Sequence, residues 1–285
     1  MRVISGEARG HNLKAPKGMT TRPMADKIKG AVFSMLGTIL DQMDHDWGRV
    51  LDLYAGSGSI GIEALSRGAT WVDFVEINAG VCRVISENLE HTKFTGKARV
   101  NNRQANSFLN SPPAAPGANQ KKRAAGGLHR RKGGEGRNKE DRQIALMAEG
   151  PMLESSPADP APGVVTAPDE KFYDIIFLDP PYADPKIPDT LEHVARSGLI
   201  KPGGLVVIGH WPRLTLASTI GSEGPDDRVQ LNMLRHRRHG DSAFTIFLAG
   251  NPADYGFEQE NEPGAEIEVN SAQPGEDEDT IEADE

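Results

Sequence analysis

The sequence predicts an α/β fold: a doubly wound, mostly parallel sheet of seven strands with one antiparallel strand, preceded by a small hairpin and a helix. Three observations predict it. Strand-like and helix-like segments alternate along the chain; a glycine-rich turn joins the first strong strand to a helix; and YDIIFL, at 173–178, is almost wholly apolar, as expected of a central parallel strand covered on both faces.

The elements follow in order. Residues 2–5 and 12–14, separated by GEARG, read as a hairpin, and residues 24–43 carry Ile28, Ala31, Val32, Met35, Leu36 and Ile39 at helical spacing. A strand at 50–54 leads into the glycine turn and a helix at 59–67. A strand at 71–76, a helix at 79–91 and a short strand at 98–101 come next, and then the strand at 173–178. After a helix and a strand at 205–208, segments 228–234 and 243–248 form a closing pair, the latter antiparallel. Ligands of such sheets sit beyond the carboxyl ends of the strands.

Two stretches lack this periodicity. Residues 110–168 are rich in Pro, Gly, Ala and charge, and residues 250–285 are acidic. Neither carries enough apolar surface to offset the entropy of ordering, so both are expected to be disordered. Removing them leaves an extension at 1–45 and one α/β domain formed by 46–109 and 169–249. The net charge of −9 misleads about that domain. The segment 250–285 holds thirteen Asp or Glu and no Lys or Arg, leaving 32 basic against 28 acidic residues elsewhere. The first residues contain no apolar core of a secretion signal, and no apolar run approaches the ~20 residues that span a bilayer. A soluble cytoplasmic monomer with no membrane partner is expected. The lone Cys82 excludes an intramolecular disulfide and reads as a small buried residue, and no metal site is expected.

The segment VLDLYAGSGSIGIEAL places Gly56, Gly58 and Gly61 between strand and helix, with Glu76 ending the next strand twenty residues after Gly56. Gly56 and Gly58 permit a tight turn and close approach of a ligand to the backbone, while Glu76 can accept both hydroxyls of a ribose. An adenosine-type cofactor is implied. Asp52, four residues before Gly56, suits the cationic sulfonium and ammonium of S-adenosylmethionine better than the anionic pyrophosphate of NAD.

Directly after YDIIFL stands Asp179-Pro180-Pro181-Tyr182. An exocyclic amine on a base is a poor nucleophile because its lone pair is delocalised into the ring. The carboxylate of Asp179 and the carbonyl of Pro180 can accept its N–H bonds and favour the pyramidal geometry that frees the lone pair. The two prolines hold the loop's φ angles, and Tyr182 can stack on a flipped-out base.

These segments resemble the RsmD-type 16S ribosomal RNA guanine-N(2)-methyltransferases. The resemblance rests on RVISGEARGHNLKAP, TRPMADKIKGAVFSML, VLDLYAGSGSIGIEALSRGA, FVEIN, ANSFL, YDIIFLDPPY and GDSAFTIF. It implies a class I (Rossmann-like) methyltransferase fold, S-adenosylmethionine as cofactor, and a guanine amine of 16S rRNA as acceptor, presented in a small ribosomal subunit or assembly intermediate. It also implies a cofactor site lined by Asp52, Tyr54, Gly56, Ser57, Gly58, Glu76, Ile77, Gln104 and Ala105, with Asp179 to Tyr182 at the catalytic end. Arg9, Lys14, Arg22, Lys27 and Lys29 would contact RNA phosphates. Where the family has Thr-x-x-Arg-Val-Arg-Glu, this chain reads Ala25-Asp26-Lys27-Ile28-Lys29-Gly30, which bears on target choice. A DNA adenine or cytosine amino-methyltransferase and a catalytically silent RNA-binding assembly factor remain the alternatives. A nicotinamide-dependent dehydrogenase is disfavoured, because His193 and His210 have no evident partners and read as surface residues.

Overall fold

The computed structural model describes residues 1–16, 26–112, 172–181, 184–221 and 229–257. Helix α1 (Asp26–Gln42) precedes β1 (Arg49–Asp52), α2 (Ser59–Ser66), β2 (Trp71–Glu76), α3 (Ala79–Thr92), β3 (Ala98–Asn102) and α4 (Ala105–Asn110). The chain continues with β4 (Tyr173–Leu178), α5 (Ile187–Arg196), β5 (Ile200–His210), β6 (Thr219–Ile220), β7 (Leu231–His239) and β8 (Ser242–Ala249). The strands form one eight-stranded sheet in the order β3-β2-β1-β4-β5-β8-β7-β6. The first five are parallel, and β8 is antiparallel to both β5 and β7. The eighth strand, absent from the sequence expectation, is the two-residue β6, pairing antiparallel with β7 through Thr219 and Ile220. So short a segment has no periodicity to read.

Alternation along the strands divides the core into two faces. Val50, Phe74, Ile175, Phe177 and Val207 pack with α1, α2 and α3, whereas Leu51, Val75, Ile176, Leu178 and Val206 pack with α4 and α5. The central strands are buried on both faces, hence their continuous apolar runs. Helix α3 starts where Asn78 accepts hydrogen bonds from the N–H groups of Gly80 and Val81, and ends at Lys93 with φ 64°. At the amino ends of the strands, buried Asp73 accepts hydrogen bonds from Arg49 Nη2 (2.9 Å), Arg99 Nε (2.6 Å), Tyr173 Oη (2.9 Å) and Trp71 Nε1 (3.1 Å). Burial works to raise its pKa, but the ion pairs with Arg99 and Arg49 prevail and hold it below the usual carboxylate range.

The hairpin expected at the N-terminus is a single bridge, Arg2 to Asn12, within a segment that packs on α2. Glu63, in the middle of α2, accepts from the N–H of Ile4 (2.7 Å) and Ser5 (3.0 Å), and Ser66 Oγ accepts from that of Ala8 (2.9 Å). Gly6 (φ +81°) lies so close to the Ser66 carbonyl that a β-carbon has no room. The buried stripe of α1 is Lys29, Val32, Phe33, Leu36, Ile39 and Leu40, rotated from the spacing read in the sequence because Lys29 turns inward.

The expected insertion falls largely on residues 113–171, outside the described residues, as does the acidic segment beyond 257. The described residues extend past the expected boundary at 249: residues 252–255 form a 3-10 turn and Phe257 is buried in the core beside α1. Cys82 is buried, as read. Among the described residues, no helix is long and apolar enough to cross a membrane.

The third glycine of the turn serves packing. A β-carbon at Gly61 would run into the Phe74 ring and sit 2.9 Å from Val72 Cγ1. Gly61→Ala is therefore expected to destabilise the fold by ~1–3 kcal/mol through overpacking, measured by urea unfolding.

Candidate active site

The turn between β1 and α2 lies at the carboxyl edge of the sheet. Gly56 and Gly58 have φ of +52° and +79°, a conformation that glycine adopts without strain. The turn is held by hydrogen bonds from Ala55 N–H to the Val75 carbonyl (3.0 Å) and from Gly58 N–H to the Ala55 carbonyl (2.7 Å). Glu76, ending β2, accepts from Gly56 N–H (3.1 Å) and Asn78 N–H (2.8 Å), so its carboxylate stands at the mouth of the turn. Beside it Ile77 is 63% exposed, an apolar side chain left open at this edge. Gln104 and Ala105 open α4 across from it, Gln104 exposed and Ala105 buried.

Asp52 also has a structural part beneath the turn. It is fully buried beneath the turn, where one carboxylate oxygen accepts from Gly61 N–H at 3.1 Å. That bond satisfies a first-turn donor of α2, whose N-cap Gly58 has no side chain to do so. The other oxygen is buried with no hydrogen-bond partner. Burial raises the Asp52 pKa to about 7, with the charges of Asp179 and Glu76 adding to the shift.

Asp179 follows β4, level with Gly209 of β5. It borders a small apolar notch with Val32 and Phe33 of α1, Ile60 of α2, and Phe177, Val207 and Gly209. Burial pushes its pKa up to about 6. Pro180 is buried and Pro181 exposed, and the Pro181 carbonyl accepts from Asp184 N–H (2.9 Å), closing the loop. Tyr182 is outside the described residues. Tyr54 Oη lies 3.5 Å from Thr190 Oγ1, joining the end of β1 to α5.

Asp52, Glu76 and Asp179 thus gather three carboxyl groups around one glycine turn. That is an electrostatic setting for a ligand with an adenosine-like hydroxylated end and a cationic end. The unsatisfied Asp52 oxygen and the open backbone at Gly56 and Gly58 both fit S-adenosylmethionine.

The family described as "Conserved hypothetical protein 95" matches residues 1–119 and 161–248. The chain belongs to this family, the RsmD-type methyltransferases. The relatives of this RsmD-type chain include "Putative rRNA methyltransferase YlbH" of Bacillus subtilis (strain 168), 29% identical over 221 residues, covering 78% of this chain and 88% of that protein. "Ribosomal RNA small subunit methyltransferase D" of Escherichia coli (strain K12) is 36% identical over 109 residues, 38% of this chain and 52% of that protein. Among solved structures, "Putative methyltransferase yhhF from Escherichia coli" superposes with a TM-score of 0.56 at 22% identity, over 88% of this chain and 98% of that one. The fold is that of a class I methyltransferase.

In this RsmD-type chain the basic residues expected to meet RNA are scattered. Arg9 and Lys27 are exposed, and Lys14 is exposed but paired with Glu87 at 2.7 Å. Arg22 lies outside the described residues. Lys29 corrects the expectation: it is fully buried, with Nζ 2.8 Å from the Arg2 carbonyl and 3.5 Å from Glu63, and cannot reach RNA. Burial lowers its pKa, an effect Glu63 partly opposes. His210, expected at the surface, is also fully buried, its ring nitrogens meeting Thr245 Oγ1 and the Trp211 carbonyl, each at 2.9 Å. His193 is half-buried and bridges α5 to Asn106 and Asn110 of α4.

Asn88 escaped sequence reasoning. Its side chain donates to the carbonyls of Ser57 (2.9 Å) and Lys14 (3.1 Å) and accepts from Lys14 N–H (2.8 Å), fastening the glycine turn to the N-terminal segment. The available signal was a polar residue within the stripe Cys82, Ile85, Asn88, Leu89 and Thr92, which is buried.

Proposed function

We propose that the chain transfers the methyl group of S-adenosylmethionine to the exocyclic N2 amine of a guanine in 16S rRNA, within a small ribosomal subunit or its assembly intermediate. The observation that carries this reading is the position of Asp179: at the carboxyl end of β4, electrostatically coupled to the Asp52 beneath the glycine turn. The family and the names of the relatives supply rRNA as the acceptor class.

S-adenosylmethionine brings an electrophilic methyl on a sulfonium. Glu76 would bind the ribose hydroxyls, with Ile77, Gln104 and Ala105 around the adenine and Tyr54, Ser57 and the Gly56–Gly58 backbone around the rest. Asp179 and the Pro180 carbonyl accept the two amine N–H bonds, and Tyr182 supplies an aromatic ring to stack on the base. With the cofactor bound, its sulfonium methyl would be the electrophile for the amine nitrogen, and Asp179 or water would take the proton the amine releases. The acceleration comes chiefly from orientation and hydrogen bonding.

The test is incubation with tritiated S-adenosylmethionine and under-methylated small subunits, naked 16S rRNA or duplex DNA, then nucleoside chromatography. Labelled N2-methylguanosine from the subunits is expected. Label in DNA moves the assignment to a DNA amino-methyltransferase, and absence of label from all three refutes methyl transfer to nucleic acid.

A further inference from the structure

The β7–β8 hairpin carries a cluster of positive charge that the site described above does not use. Strand β7 reads Arg235, His236, Arg237, Arg238, His239 without an acidic residue. The register fixes where these residues stand. Arg237 pairs with Phe244 of β8, which pairs with Gly209 of β5, and Gly209 borders the notch at Asp179. Arg238 pairs with Ala243, which pairs with His210. At ~4.8 Å per strand, Arg237 lies about 10 Å from Gly209 along the edge of the sheet that holds Asp179.

The other half of the surface is the turn after β5. Trp211, immediately after His210, is 43% exposed, and the Arg213 guanidinium carbon lies 4.9 Å from its ring centroid. The turn is fixed by Leu214 N–H donating to the Trp211 carbonyl (2.9 Å), and His210 is tied through Thr245 to His236 of β7 (2.9 Å to each). Among the described residues, no carboxylate is in ion-pair range of Arg213, Arg237 or Arg238. Arg237 Nη1 donates to the His236 carbonyl (2.9 Å) and Arg238 Nε to that of Gly240 (3.5 Å), leaving further guanidinium donors for a ligand.

We infer that the β7–β8 hairpin and the Trp211–Arg213 turn form a docking surface for single-stranded RNA, holding the strand that flanks the target base. Guanidiniums without carboxylate partners suit phosphates, and an exposed indole beside them suits an unstacked base. This rests on the methyl-transfer reading and moves the main RNA contact from the N-terminal basic residues to the opposite side of Asp179.

The test uses the full chain with Arg237→Gln and Arg238→Gln together, and separately Trp211→Leu. Binding to a fluorescein-labelled twelve-nucleotide single-stranded RNA is followed by anisotropy across salt, and methylation is followed on under-methylated small subunits. The arginine pair is expected to weaken RNA binding by about tenfold and to flatten the slope of log K against log salt by ~1.4, near 0.7 for each of the two lost phosphate contacts. KM for the subunit should rise at constant kcat, with cofactor affinity and melting temperature unchanged. Trp211→Leu should weaken binding without changing the slope. Lys93→Gln with Lys97→Gln, beside the far edge strand β3, controls for net charge and should have no effect. Unchanged affinity and slope in an arginine variant that still methylates, or an equal loss in the lysine control, overturns the docking surface and leaves the proposed function standing. Failure of the wild-type protein to methylate RNA overturns both.

Discussion

Replacing Asp179 by alanine is expected to lower kcat by roughly 10²–10³-fold while S-adenosylmethionine still binds, because an acceptor aimed at the reacting amine is lost and the cradle around Gly56 and Gly58 is not. Asp179→Asn should fall in between, keeping one carbonyl acceptor but offering N–H groups where the amine needs a lone pair. The pH profile gives an independent check. With its pKa raised to about 6 by burial, Asp179 is a full acceptor only above that pH, so wild-type kcat should rise through about pH 6 and then level. In Asp179→Asn that limb should vanish. A variant with wild-type kcat would remove Asp179 from the chemistry.

Stability should run the other way. A carboxyl whose pKa is raised on folding favours the folded state while protonated, and that contribution is lost as pH rises through the folded pKa. For Asp179 and Asp52 the loss begins at about pH 4, where the unfolded carboxyls ionise, and is complete by about pH 6 and 7 respectively. The melting temperature of the wild type should therefore decline across that window more than that of Asp52→Asn. A bound cationic cofactor should reduce the decline by favouring both carboxylates.

The largest loss of stability is expected from Glu63→Ala. Glu63 is fully buried, pairs with Lys29 (3.5 Å) and Arg67 (2.9 Å), and accepts the N–H groups of Ile4 and Ser5. Removing it strands a buried ammonium and two backbone donors, a loss of about 3–5 kcal/mol in urea unfolding. Adding Lys29→Met should recover part of that, since an apolar side chain fills the site without needing a counter-charge. If the double variant is no more stable than Glu63→Ala alone, the buried charge is not the source of the loss. The N–H groups of Ile4 and Ser5 stay unpaired in the double variant, so the N-terminal segment should still exchange its amides faster than in wild type.

How much was legible follows from the range of each interaction. Strand β4 at 173–178 and strand β2 at 71–76 matched their sequence boundaries because burial on both faces writes an uninterrupted apolar run. The glycine turn was legible because positive φ selects glycine locally. Strand β7 was placed early, at 228–234, because its basic half, Arg235 to His239, alternates too little in polarity to look like strand; its pairing with β8 defines it. Helix α4 went unread because six residues are too few for a period.

By itself, then, the sequence determined the order of elements, the strand–glycine–helix unit and the placing of Asp179 at a strand end, because local periodicity and backbone conformation are encoded within a few residues. The tertiary structure alone decided which charges are buried and which are offered to a partner. Lys29 turns inward because Glu63, 34 positions away in the chain, waits there, and Asp52 works beneath the turn because its oxygen meets the start of α2. Arg237 and Arg238 stand beside the Asp179 edge because sheet order carries β7 back toward β5. Such pairings join residues distant in sequence, and the energy of a charge depends on those neighbours and on its distance from water.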